Sequence, residues 1–156
     1  MEQVIQDMIV KLLNTKDNPG IISARTDEKV FELEISNCEQ WACLFHHFSI
    51  VSLKEELTLH PNQVEKKITY LSERLKVIEI DKEKTILRSD VPLKSYQGLS
   101  YFELEISPYE MTFCRYKYSE KFENRKVGQT VLTKQTIKRL MEDFDSLVSG
   151  DKDNAA

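Results

Sequence analysis

Glycine and proline are scarce in this chain, at four residues each in 156. The glycines Gly20, Gly98, Gly128 and Gly150 stand apart from one another, so no glycine-rich loop is available to cradle a phosphate. No serine sits in a Gly-x-Ser-x-Gly elbow, which removes the commonest signature of a serine hydrolase. Cys38, Cys43 and Cys114 are the only cysteines. Three thiols cannot pair completely, and their spacing fits no disulfide framework; reduced, partly buried thiols are expected. No apolar run approaches the ~18–20 residues of a transmembrane helix. The opening "MEQVIQDMIV" carries an acid where a signal peptide has its basic region, and it lacks a small-residue cleavage site. The expectation is a cytoplasmic chain with no membrane association.

Apolar and charged residues are plentiful. Hydrophobic residues make up 40% and charged residues 31%, as in soluble globular proteins with a somewhat charged surface. The length suits one domain, and such a chain buries enough surface to fold without a disulfide or metal. A single domain is expected over 1–148, with a flexible tail over 149–156. The net charge of -4 is uneven. Residues 112–139 hold eight Lys or Arg against two acids, a local +6, which leaves -10 for the remainder. A dipolar protein of this kind can steer a charged partner.

The six letters "FELEIS" occur twice, at 31–36 and 102–107. In each copy Phe, Leu and Ile alternate with Glu, Glu and Ser, the pattern of a strand with one buried face. The four glutamates Glu32, Glu34, Glu103 and Glu105 then form a solvated face, with Arg115 and Lys117 as cross-strand partners. A shift of 71 residues also lays Cys43 on Cys114. The helices that follow match in their entries: Leu59 precedes Val64, and Leu132 precedes Ile137, by the five positions of a hydrophobic staple. These coincidences suggest a β-meander-plus-helix unit built twice.

The rest of the chain supplies the order of elements. Val4, Ile5, Met8, Ile9, Leu12 and Leu13 predict a first amphipathic helix. Pro61 begins a second, with Val64, Ile68, Leu71 and Leu75 at helical spacing. A third runs from Thr133 to about Val148. Strands fill "GIISARTDEKVFELEIS", "QWACLFHHFSIV", "VIEIDKEKTILRSD", "SYFELEIS" and "EMTFCRYKYSEKF", and "SDVPLKSYQG" reads as a loop. The prediction is an α+β fold, α-βββ-α-ββ-ββ-α, around an antiparallel meander. The order and acidic balance are similar to those of type III secretion chaperones. That resemblance rests on element order and transfers no site; it implies a protein that dimerises and binds other polypeptides.

Three candidate sites follow. Cys38-x4-Cys43-x2-His46-His47 holds zinc-type ligands, but a structural zinc site needs close ligand pairs at two places. On a regular strand, Cys43 and His46 point to opposite faces and His46 and His47 diverge, so no metal or other cofactor is expected. The segment "RYKYSEKFENRK" interleaves aromatics with Arg115, Lys117, Lys121, Arg125 and Lys126, a pattern that lets bases stack while phosphates are neutralised. Finally, "WACLFHHFSIV" is apolar on both faces, which marks Trp41, Leu44 and Phe48 as a candidate protein interface. The preferred reading is a non-enzymatic interaction or adaptor module, chaperone-like and homodimeric, with another protein as ligand. A nucleic-acid-associated regulator using residues 112–139 is the alternative, and a small hydrolase or metalloprotein the second alternative. No catalytic residue is assigned.

Overall fold

The computed structural model describes residues 2–89, 93–95, 98–118 and 125–149. The fold is α+β. Helix α1 (Glu2–Asn14) leads into strands β1 (Gly20–Arg25), β2 (Lys29–Ser36) and β3 (Ala42–Ser52). Helix α2 (Pro61–Lys67) precedes β4 (Leu75–Ile80), β5 (Thr85–Ser89), β6 (Leu93–Ser95), β7 (Gly98–Ile106) and β8 (Glu110–Tyr118). The short strands β9 (Lys126–Val127) and β10 (Thr130–Thr133) lead into α3 (Lys134–Val148).

One sheet runs in the order β1-β2-β3-β8-β7-β5-β4, with β6 on β7, β9 on β8 and β10 on β3. Every described pairing is antiparallel. The two "FELEIS" strands hold equivalent places. Each flanks one member of the central β3–β8 pair. Ile22, Leu33, Phe48, Phe113, Leu104, Leu87 and Val77 form one continuous cross-strand row, and it is the spine of the core. Phe31, Leu33, Ile35, Phe102, Leu104 and Ile106 are all buried, as their alternation predicts.

The helices cover this one face. Ile5, Met8, Ile9 and Leu12 of α1 join Val64 of α2 and Ile137, Leu140, Met141, Phe144 and Leu147 of α3 in the same core. Phe144 packs between Phe48 and Phe113, with ring centroids 6.4 and 5.2 Å away. Both staple pairs flank helix N-caps, of which only that of α3 has a side-chain capping bond. His60 and Thr133 are the cap residues, Leu59 and Leu132 pack on the core before them, and Val64 and Ile137 are fully buried. Thr133 Oγ1 accepts from the Thr136 amide at 3.1 Å, satisfying one of the free donors of the first turn.

Three expectations need correction. The second helix is shorter than its spacing implied: it ends at Lys67, so Leu71 lies in the connection and Leu75 opens β4. Leaving the helix there allows Tyr70 to donate to Asp143 Oδ2 of α3 at 2.8 Å. The stretch expected as a loop contains β6, paired to β7 from Leu93–Ser95 to Gly98–Ser100. The shift of 71 residues holds for β2 and β7 but fails beyond them. The β2–β3 connection spans 37–41 and the β7–β8 connection only 107–109; the equivalent leucines Leu33 and Leu104 face Phe48 and Phe113, so Phe48, not Ala42, is the counterpart of Phe113. Residues 150–156, most of the expected tail, lie outside the described residues.

Candidate protein interface

The opposite face of the sheet carries no helix among the described residues. It presents its own row: Ile21, Glu34, His47, Cys114, Glu103, Arg88 and Lys76. Beside it runs Ser23, Glu32, Ser49, Thr112, Glu105 and Ile86. Half of this face, over β1 to β3, carries the part-exposed Glu32 and Glu34, with the exposed Arg25 at the end of β1. The other half, over β8 to β5, is a packed cluster of arginine and tyrosine.

On the acidic side, a bulge in β3 separates the Glu34–His47 pair from the Ile35–Phe45 pair. His46 is the extra residue, and its ring lies 2.8 Å from Ser36 Oγ. His47 Nε2 lies 3.1 Å from Glu32 Oε1 and Nδ1 lies 3.3 Å from Glu34 Oε1. The expectation that the two histidines diverge fails because a bulge interrupts the alternation of faces. Cys38 and Cys43 are meanwhile buried in the core, and Cys38 Sγ donates to the Ser36 carbonyl at 3.8 Å. Burial, with the neighbouring Cys38 thiol, pushes Cys43 up to about 12.

On the other side Glu103 is only 1% exposed. Arg88 donates to its Oε1 at 2.9 Å, and Arg125 grips both oxygens at 2.7 and 2.8 Å. The guanidinium groups also stack, Arg88 at 4.8 Å over Tyr101 and Arg125 at 3.7 Å over Tyr116. The Glu103 hydrogen bonds hold Arg125 above its ordinary value. Cys114 lies beneath, and burial pushes its thiol up to about 11. Glu103 is therefore not part of a solvated glutamate face, and Arg115 and Lys117 are not its partners. The register explains this: Arg115 stands opposite Phe102 and Lys117 opposite Ser100, both on the helix side.

The expected basic patch is accordingly dispersed. Arg115 is buried and bonded to Glu73, Arg125 is bonded to Glu103 on the far face, and Lys117 and Lys126 are exposed. Lys121 lies outside the described residues. The interface candidates separate too. Phe48 is a core residue, 1% exposed, because its parity places it in the Leu33–Phe113 row. Leu44 is half-buried on the uncovered face and pairs with Val131, which is 66% exposed. Val127, 60% exposed, stands opposite Tyr116, and Tyr118 is exposed in turn. Trp41, one residue ahead of β3, is 73% exposed. Sequence reasoning missed Val127 and Val131 because their strands are too short to show a period.

Among the described residues no three His, Cys, Asp or Glu side chains form a metal-ligand set, and no helix is long and apolar enough to cross a membrane. Comparison with protein-family models, curated proteins and solved structures finds no match in any of the three.

Proposed function

We propose that this protein is a non-enzymatic interaction module, of the adaptor or chaperone-like kind, that forms a homodimer through its uncovered sheet face. The observation that carries the reading is the apolar series on that face, Leu44, Val131, Val127 and Tyr118, with Trp41 beside it. Exposed apolar side chains gathered on one face of a soluble protein mark an interaction surface.

A second copy is favoured as the occupant by charge. Glu34 and Arg88 lie toward opposite ends of one cross-strand row. Glu32 and Glu34 are part-exposed acids of one half, which ends in the exposed Arg25, and Arg88 and Arg125 cover Glu103 in the other. A two-fold axis along β8, at Cys114 midway between Glu34 and Arg88 in that row and in the plane of the interface, lays the acidic strands of each copy over the Arg88 strand of its partner. Two-fold pairing is isologous, so each such contact is made twice.

A charge exchange tests this. Glu34→Lys and Arg88→Glu each set like charges against each other in a homodimer and favour the monomer. Mixed in equal amounts, they restore opposite charges across the interface and the dimer returns. Failure of the mixture to associate, with both variants folded and monomeric, rejects this arrangement.

A further inference from the structure

A cleft opens on the helix side where the sheet forks. β3 and β8 pair over His47–Val51 and Glu110–Cys114. Beyond that they part: β8 takes β9 at Tyr116 and Lys117, and β3 takes β10 at Ala42–Phe45. The resulting cleft of about 340 Å³ is lined by Tyr70, Glu73, Phe102, Arg115, Thr130 and Thr136, among others. At about 30 Å³ per liquid water, that is room for a single-ring molecule.

The polar groups at this cleft are held but not fully used. Arg115 Nε donates to Ser100 Oγ at 2.7 Å, and Nη1 donates to Glu73 Oε2 at 3.1 Å. Its guanidinium lies 4.6 Å over the Phe102 ring. Glu73 is thereby fixed through one oxygen. The other, Oε1, is buried and accepts no hydrogen bond from any described residue. A buried acceptor left without a donor is costly to the fold. Glu73 lines the cleft and the last torsion of a glutamate is broad and soft, so Oε1 can turn to a donor there as Oε2 shifts against Arg115.

The chemistry of that donor follows from the charges. Arg115 already balances Glu73, so an added cation would stand beside a guanidinium with no anion to itself. A neutral N–H donor completes the carboxylate without that repulsion. We propose that the cleft binds a small neutral carboxamide, whose N–H donates to Glu73 Oε1 and whose carbonyl accepts from the Thr130 hydroxyl. This site is on the helix side and shares strand β10 with the dimer face, since Val131 also lines it.

The test is a nitrogen-15 amide NMR titration of the full chain with benzamide, and with acetophenone as the matched ketone lacking the N–H. The expected result is benzamide shifts confined to residues 70–73, 102, 115 and 130–136, with affinity at least about tenfold above acetophenone. In Glu73→Gln, where the acceptor becomes an amide, the preference falls to parity. Equal affinity for the two probes, no benzamide shift up to about 10 mM, well above the millimolar range of weak ligands, or shifts elsewhere on the chain overturns the proposal. The two probes on the unaltered protein decide it even where Glu73→Gln fails to fold.

Discussion

β2 and β7 contain the same six residues and meet the same fate on one face only. Phe31, Leu33 and Ile35 are as deeply buried as Phe102, Leu104 and Ile106. On the other face, Glu32 and Glu34 have side chains about 40% exposed around His47, whereas Glu103 is sealed under two arginines. Period-two alternation selects which residues turn inward. What becomes of the others depends on neighbours, and those differ: Ser23 and Ser49 flank Glu32, while Arg88 and Cys114 flank Glu103. An identical segment thus supplies a solvated acidic surface at one site and a buried ion-pair anchor at the other.

The inner-face equivalence is tested by Leu33→Ala and Leu104→Ala. Each removes a fully buried side chain from the same core row, and each should cost about 2–5 kcal/mol in denaturant unfolding. A loss under about 1 kcal/mol at either site would break the symmetry.

The outer-face difference is tested by Glu103→Gln against Glu34→Gln. The first strips Arg88 and Arg125 of their shared counter-charge. Breaking a fully buried pair costs about 3–5 kcal/mol, and with both arginines roughly a third exposed the discounted expectation is about 1–3 kcal/mol. Glu34→Gln should change stability by less than about 0.5 kcal/mol. Equal effects would refute the contrast.

A smaller effect separates the same regions by pH. The folded-state thiol of Cys114 titrates at about 11, raised by burial from its ordinary 9.0. The folded chain therefore keeps a proton that the unfolded chain has lost, and this contribution to stability disappears as pH climbs from 9 toward 11. At pH 10 the loss is roughly 1 kcal/mol. Cys114→Ala should flatten that part of the stability–pH curve. An unchanged slope would place the thiol in contact with solvent.

Much of the fold was legible in the sequence. Alternation located the core face of β2 and β7, and staple spacing placed the entries to α2 and α3. The short strands β6, β9 and β10 were not legible, because two to four residues cannot display a period. The bulge at His46 was hidden too, since a single extra residue leaves composition unchanged while reversing every later parity. That reversal is why Phe48 turns into the core, although the run around it is apolar on both faces. The Glu103 cluster joins residues 88, 103 and 125, and the cleft joins residues 73, 115 and 130. Neither set has a sequence signature, because the topology alone brings its members together.

The central claim is that the uncovered face, acidic on one half and arginine-covered on the other, closes against a second copy of itself. Light scattering of the unaltered chain at low micromolar concentration and low ionic strength tests it most directly. The account predicts a mass near twice 18.3 kDa, falling toward the monomer as salt screens the exposed charges. A mass that stays at 18.3 kDa under these conditions contradicts it.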